Sequence, residues 1–203
     1  MKIGFIGLGN VGGKLANNLF ENNFQISVLD KNIKLMDEFK LRGAKTAKSI
    51  KDLVINSDIL ITCLPSPDVC AEVLESKGGI IDTIKKDQIW IEMSTTENDQ
   101  LKKHASLIQQ KKAIALEAPV SGGCHRAATG NISIFVGGSR DGFDKAMPVL
   151  KCLGRKILYT GDFGSASILK VITNYLATVH LIALGEAWTV ASKSNLDLKK
   201  TFK

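Results

Sequence analysis

The stretch Lys2-Ile3-Gly4-Phe5-Ile6-Gly7-Leu8-Gly9-Asn10-Val11-Gly12 decides the fold of this 203-residue chain. A short apolar run leads into a G-x-G-x-x-G pattern over residues 7–12, and a helical spacing of apolar residues follows. Glycines between a strand and a helix allow a tight turn and let a pyrophosphate approach the helix N-terminus. The stretch therefore predicts a dinucleotide-binding turn, with cofactor contacts from Gly7, Leu8, Gly9, Asn10, Val11 and Gly12.

An acidic residue lies at the position where dinucleotide-binding folds have one that binds the ribose of the cofactor. Asp30 ends a second apolar strand at residues 26–29. Its carboxylate can bind the ribose 2′-hydroxyl and would repel a 2′-phosphate, which favours NAD over NADP. Two alternatives stay open, because Lys31 beside it could tolerate that phosphate and Asp30 could be an ordinary strand-end acid. We predict NAD as the cofactor, with NADP second.

Strand and helix patterns alternate over most of the chain. Strands are expected near residues 2–6, 26–29, 59–64, 88–93, 113–116, 132–136 and 157–159, and amphipathic helices near residues 33–41, 97–110 and 143–153. This alternation is typical of an α/β protein, and we predict a Rossmann-type doubly wound sheet over residues 1–163. Residues 165–193 predict one long helix that begins an all-helical second domain over 164–203. A break and the N-cap of another helix are expected at Asn195-Leu196-Asp197.

The composition excludes several classes of protein. Lys and Arg number 27 against 20 Asp and Glu, a net charge of +7, but the basic residues are scattered rather than clustered. Nucleic-acid binding is therefore not expected. The four cysteines form no C-x-x-C pair and the three histidines lie far apart, so neither a metal site nor a disulfide framework is predicted.

The unpaired cysteines and the N-terminal residues indicate the cellular compartment in which the protein is expected. Unpaired cysteines suit a reducing environment, and glycines at positions 4, 7 and 9 interrupt any signal peptide. The apolar stretch at residues 168–191 carries Lys170, His180 and Glu186, which make it too polar for a membrane span. We therefore expect a buried helix, no membrane contact and a cytoplasmic protein.

Polar and proline residues follow two of the predicted strands at their carboxyl ends, where ligands of this fold bind. Leu64 and Pro65 follow one strand, and Ser94 and Thr95 follow the next. Thr95 could donate a hydrogen bond to the ribose or amide of the cofactor. Ser94 or Thr95 could equally cap the helix that follows.

The segment Ala118-Pro119-Val120-Ser121-Gly122-Gly123 follows another short strand. A serine hydroxyl and glycine amides can hold a small anion, although a plain tight turn has the same composition. Further along, Lys170 and Asn174 lie four residues apart and so share one helix face. Lys170 either extends its ammonium group to water or is partly desolvated, in which case it can exchange a proton with a carbonyl or hydroxyl oxygen.

Together these motifs resemble those of the β-hydroxyacid dehydrogenases, the group that contains 3-hydroxyisobutyrate dehydrogenase and tartronate semialdehyde reductase. Four blocks match in order: residues 7–12 with 17–19 behind them, residues 94–95, residues 118–123 with Gly130, and residues 164–174. The resemblance covers the whole chain. It implies that Ser121, Gly122 and Gly123 bind a substrate carboxylate, that Lys170 is the general acid/base, and that Asn174 holds substrate and lysine in register.

Three positions depart from the family pattern. Arg126 and Ala166 stand where glycines are usual, and Thr173 replaces the first residue of an Asn pair. Arg126 could supply a cation for a second anionic group, but we expect it to point to solvent.

The resemblance implies reversible NAD(P)-dependent hydride transfer between a small 3-hydroxy acid and its semialdehyde. Glyoxylate, succinic semialdehyde or tartronate semialdehyde reduction is an alternative, and a non-catalytic dinucleotide-binding scaffold is a second one. The family continues through further helices, so we expect a piece of a longer enzyme. Because a long apolar helix needs cover, we also expect a homo-oligomer.

Overall fold

The computed structural model describes residues 1–201, and within them nine strands form one sheet. The strands are β1 (Lys2–Ile6), β2 (Gln25–Leu29), β3 (Lys45–Thr46), β4 (Ile59–Thr62), β5 (Ile89–Glu92), β6 (Ile114–Glu117), β7 (Val120–Ser121), β8 (Ile132–Gly138) and β9 (Gly154–Gly161). The helices are α1 (Gly12–Glu21), α2 (Ile33–Leu41), α3 (Ile50–Ile55), α4 (Pro67–Glu75), α5 (Ile80–Thr83), α6 (Asn98–Gln110), α7 (Gly123–Ala128), α8 (Arg140–Leu153), α9 (Ser165–Lys193) and α10 (Leu198–Thr201).

The strand order is that of a doubly wound sheet, as the sequence predicted. Strands run β3-β2-β1-β4-β5-β6 with every neighbouring pair parallel. The order then continues to β8, which is antiparallel to β6 and β7 and parallel to β9. Chain order reverses at β1 and β4, and such a switch point opens a crevice at the carboxyl ends of the strands.

Both faces of the sheet are buried because successive side chains of a strand point to opposite faces. Ile59 and Ile61 of β4 join one apolar cluster with β1 and β8, and Leu60 joins a second cluster with Trp90. All four residues of β4 are buried, and the same holds for β5. The parallel strands are therefore fixed from both sides, so their carboxyl ends form a firm base for a site.

Several short elements were not predicted. They are β3, α3, α4, α5, β7 and α7. All except α4 have six residues or fewer, and such short elements give little periodicity. Pro67 opens α4, with Ser66 as the N-cap. Proline is accommodated in the first helical turn because its missing N–H has no partner there.

The long helix α9 was predicted correctly, but its expected burial was wrong. Tyr175, Leu181 and Val190 are each at least 66% exposed, because little in the described part of the chain packs against them. By length and composition, with a mean hydropathy of 1.5, the helix could also cross a membrane. The polar residues of the helix were expected to exclude a membrane span, but its length and mean hydropathy do not exclude one. Core helices of soluble proteins can be equally long and apolar.

The chain divides into two compact units, Met1–Lys170 and a second from Val171 onward. The domain boundary expected between residues 163 and 164 stays a prediction. The N-cap expected within residues 195–197 is present at Asp197, since its Oδ1 accepts a hydrogen bond from the Lys199 N–H at 3.0 Å. Residues 202 and 203 of the predicted second domain lie outside the described residues.

Candidate functional site

The glycine-rich turn between β1 and α1 has no room for side chains at two of its positions. Gly7 has φ +97°, and a Cβ there would overlap the carbonyl oxygen of Cys63. A Cβ on Gly12 would overlap the carbonyl oxygen of Gly7. No side chain caps the N-terminus of α1, and no acidic residue lies in its first turn. This helix end can therefore accept an anion at its backbone N–H groups.

Asp30 ties the second strand to this turn. Its Oδ2 accepts a hydrogen bond from the Leu8 N–H at 2.6 Å, and its Oδ1 accepts one from the Asn32 N–H at 2.7 Å. Each carboxylate oxygen has a further lone pair, so Asp30 can still accept hydrogen bonds from ribose hydroxyls. Asp30 thus shapes the turn as well as presenting a negative charge beside it.

A cavity of 720 Å³ lies at the switch point and contains most of the predicted cofactor residues. Leu8 and Thr95 are the exceptions, as neither is among the lining residues. Across its rim, Lys31 Nζ lies 2.8 Å from Glu72 Oε2. The predicted residues that do line it are Gly7, Gly9, Asn10, Val11, Gly12, Asp30, Leu64 and Pro65. The uncapped helix end and the open glycine cradle fit a dinucleotide.

A buried network fixes the carboxyl ends of β4 and β5. Glu92 accepts hydrogen bonds from the Thr62 hydroxyl and the Ser94 N–H, both at 2.8 Å, and burial raises its pKa. The Ser94 hydroxyl in turn accepts a hydrogen bond from the Leu64 N–H at 2.7 Å. The alternative in which Ser94 or Thr95 caps the next helix is wrong, because the N-cap position of α6 is Glu97.

The Ser-Gly-Gly segment is part strand and part helix. Val120 and Ser121 form β7 opposite Ile134 and Ser133 of β8. Gly122 and Gly123 then adopt φ +133° and +75°, in the left-handed region that favours glycine. Their backbone therefore turns sharply before α7 begins.

Arg126 lies on α7 and is exposed, as expected. Its stem covers the preceding turn, since its Cδ is 2.8 Å from the place a Cβ on Gly122 would occupy.

Lys170 is half-buried on α9, and burial lowers the pKa of its ammonium group below the ordinary value. This agrees with the partly desolvated alternative for this lysine. Asn174 is exposed and lies in the unit that begins at Val171. Its backbone carbonyl oxygen accepts a hydrogen bond from the Thr178 hydroxyl at 3.0 Å.

Glu117 is a residue that sequence reasoning missed. It ends β6, is fully buried, and accepts hydrogen bonds from the N–H groups of Gly164 and Ala166 at 2.6 and 2.8 Å. Its carboxylate therefore joins the segment that leads to Ser121 to the first turn of the helix that carries Lys170. The available signal was an acidic residue directly after an apolar strand, where a buried partner is needed.

The sheet order, the glycine turn and the acid at the end of β2 define a dinucleotide-binding protein of the Rossmann class. Comparison with known proteins agrees, because residues 2–161 match the family described as the NAD binding domain of 6-phosphogluconate dehydrogenase. The chain belongs to this family.

Comparison with individual proteins shows more specifically which enzymes the chain resembles. The mitochondrial 3-hydroxyisobutyrate dehydrogenase of Rattus norvegicus is 35% identical over 97% of this chain and 59% of its own length. An uncharacterized oxidoreductase of Bacillus subtilis is 32% identical over 99% of this chain and 70% of its own length. A structure of Mycobacterium tuberculosis 3-hydroxyisobutyrate dehydrogenase with L-serine superimposes with a TM-score of 0.92 at 27% identity, covering 99% of this chain and 68% of that one. The chain spans about 60% of the length of the rat relative.

Proposed function

We propose that the protein is an oxidoreductase that transfers hydride reversibly between NAD(H) and a small 3-hydroxy acid or its semialdehyde. The names of the relatives support this class of reaction. Residues 7–12, Asp30, Leu64, Pro65 and Thr95 would hold the cofactor, which supplies the hydride chemistry when bound. We favour NAD over NADP because Asp30 places a carboxylate beside the turn.

The substrate carboxylate would bind at Ser121, Gly122 and Gly123. A hydroxyl and backbone N–H groups in a left-handed turn are suitable donors to a small anion. Positive net charge would favour the approach of such a substrate.

Lys170 would act as the general acid/base. As the ammonium form it can donate a proton to the carbonyl oxygen during reduction, and as the amine it can take the hydroxyl proton during oxidation. Burial makes this exchange easier near neutral pH because it lowers the pKa of the ammonium group. Asn174, one turn further along the helix, would hold substrate and lysine in register.

The observation that carries the proposal is the contact of Glu117 with the start of α9. This contact joins the end of the strand that leads to Ser121 to the helix that bears Lys170, and both the segment proposed to bind the carboxylate and this lysine lie in one unit. A scaffold that only bound dinucleotides would not require that combination.

The test is a panel of substrates assayed on the complete protein with NADH and NADPH. Methylmalonate semialdehyde, succinic semialdehyde, tartronate semialdehyde and glyoxylate each combine a carboxylate with a reducible carbonyl. Turnover of at least one with NADH is expected. NADH binding without turnover of any would favour the scaffold alternative, and faster turnover of one of the last three would replace the 3-hydroxyisobutyrate-like substrate.

We also infer self-association in the cytoplasm, without nucleic acid or membrane. The exposed apolar residues of α9 support association because apolar area gains free energy on burial. Light scattering of the purified protein gives the oligomeric state, and fractionation of cells gives the compartment.

A further inference from the structure

Glu117 holds the first turn of α9 from inside the sheet. Besides Gly164 and Ala166, it binds Ser167, whose N–H donates to Oε2 at 3.1 Å and whose hydroxyl donates to the same oxygen. The N–H groups of a first helical turn lack partners within the helix, and a negative charge there also interacts favourably with the helix dipole. One carboxylate thus satisfies several donors that burial would otherwise leave unpaired.

The surrounding sheet makes room for this carboxylate. Gly137 of β8 is the register partner of Glu117, and a Cβ on Gly137 would overlap Glu117 Oε1. Its distances to Glu117 Cδ and Cγ would both be 3.0 Å. A larger residue at position 137 would therefore displace the carboxylate from the helix.

Glu117 connects two parts of the proposed site along the chain. It lies four residues before Ser121 in sequence, and Ser167, which it binds, lies one helical turn before Lys170. Because a helix is rigid over one turn, the position of this carboxylate sets where the Lys170 backbone lies relative to β6.

We propose that Glu117 is a positioning residue for proton transfer: by fixing the start of α9, it places Lys170 for its exchange with the substrate oxygen. This inference rests on the proposed function. A misplacement of about 1 Å in a catalytic group can cost about 100-fold in rate, so the contribution is measurable. A residue that served stability alone would alter unfolding without a specific effect on turnover.

The experiment compares Glu117→Gln, Lys170→Ala and the double variant in the complete protein. Glu117→Gln keeps the size of the side chain but turns one acceptor into a donor. We expect kcat to fall about 10- to 100-fold while the Kd for NADH, measured by fluorescence, changes less than twofold. In the Lys170→Ala background the same change should cost less than threefold, because its effect acts through the lysine.

A milder pair of variants serves if Glu117→Gln does not fold. Ser167→Ala removes one donor to Glu117 and should lower kcat severalfold. Ser165→Ala is its matched control, since the Ser165 hydroxyl bonds Thr160 at 2.7 Å on the same helical turn. It should leave kcat unchanged.

Three results would overturn the inference: normal kcat in Glu117→Gln, equal losses with and without Lys170, or equal effects of Ser167→Ala and Ser165→Ala. Failure of the proposed function is a different result. In that case the unaltered protein does not turn over the substrates, or Lys170→Ala retains full activity.

Discussion

Glu92 and Glu117 are register partners on the adjacent parallel strands β5 and β6, and both side chains are buried. Each ends its strand at the carboxyl edge of the sheet, yet they bind different parts of the protein. Glu92 bonds to Thr62 and Ser94 beside the cofactor cleft, whereas Glu117 bonds to the start of α9. Of these two buried acids, one thus fixes the edge beside the glycine-rich cleft, and the other fixes the start of α9.

Replacing Lys170 by alanine should lower turnover by about 10²- to 10⁴-fold, the usual contribution of a general acid/base. The Kd for NADH should stay nearly unchanged, because Lys170 does not line the cofactor cleft. Steady-state kinetics and fluorescence titration of the complete protein measure both quantities. Lys111→Ala, which alters an exposed lysine at the end of α6, is the control and should be neutral. Retained turnover would remove Lys170 from its proposed role.

The pH profile should differ between the two directions of the reaction. Reduction needs the Lys170 ammonium, so its kcat/KM should fall as pH rises through the pKa of that group. Burial lowers this pKa, so the fall should begin below the range of an exposed lysine. Oxidation needs the amine and should rise over the same range. In Lys170→Arg the guanidinium stays protonated over this range, so the pH dependence should disappear in both directions of the reaction. A pH dependence that persists in this variant would belong to another titrating group.

Asp30→Ser should relax the preference for NAD. Loss of the carboxylate removes a hydrogen-bond acceptor for the ribose and removes repulsion of a 2′-phosphate, so NADH should bind about tenfold more weakly. Asp30→Asn is the comparison variant because it removes the charge but keeps an acceptor for the Leu8 N–H, while its amide NH2 replaces the oxygen that accepts from the Asn32 N–H. Titration with NADH and NADPH gives both constants. A preference for NADPH in the unaltered protein would contradict the interpretation of Asp30.

Glu72→Gln should strengthen NADPH binding. Glu72 neutralises Lys31 at the rim of the cleft, and the unpaired lysine could then attract a 2′-phosphate. Because the pair is exposed, its interaction amounts to about 1 kcal/mol or less, which corresponds to a gain of about fivefold at most. Glu75→Gln on the same helix is the control, since Glu75 pairs with Lys103 outside the cleft. The gain should shrink at high salt.

The fold was largely predictable because its signals are strong and local. The apolar runs of β1, β4 and β5 are buried on both faces, and the glycine pattern fixed where the first helix begins. The direction of β8 was not predictable, because an apolar strand has the same composition in either direction. The apolar composition of α9 indicated that the helix needs cover, but composition does not show what covers it, and in the described chain the helix is exposed.

The sequence predicted the residues that line the cleft, but it did not predict the side-chain contacts that hold the site together. The cleft contains the glycines of residues 7–12 and Asp30, which a spacing rule identifies. The contacts of Glu117 and Glu92 and the Lys31–Glu72 pair join residues that lie far apart in sequence. No rule of sequence spacing predicts such contacts. Glu117 and Glu92 were nevertheless acids at the ends of apolar strands, and that burial cost was the available clue.

The cysteines should differ sharply in reactivity. Burial, with a further effect of Glu92, raises the pKa of Cys63 and of Cys70 to about 12, whereas Cys124 is exposed on α7. Only a thiolate attacks a disulfide reagent, so Cys124 should react first with a chromogenic disulfide at pH 8. Cys124→Ser should remove that fast phase. Fast labelling of Cys70 in the native protein would contradict the prediction.

The same pKa shifts predict how stability depends on pH. The folded protein keeps the protons of Cys63 and Cys70 up to about pH 12, whereas an unfolded thiol has an ordinary pKa of 9.0. The folded state therefore binds more protons above pH 9, and the free energy of unfolding should decrease as pH rises through that range. Urea unfolding at pH 7 and pH 10 measures this decrease. In Cys70→Ala the decrease in the free energy of unfolding between pH 7 and pH 10 should be smaller. An unchanged decrease in that variant would contradict the raised pKa of Cys70.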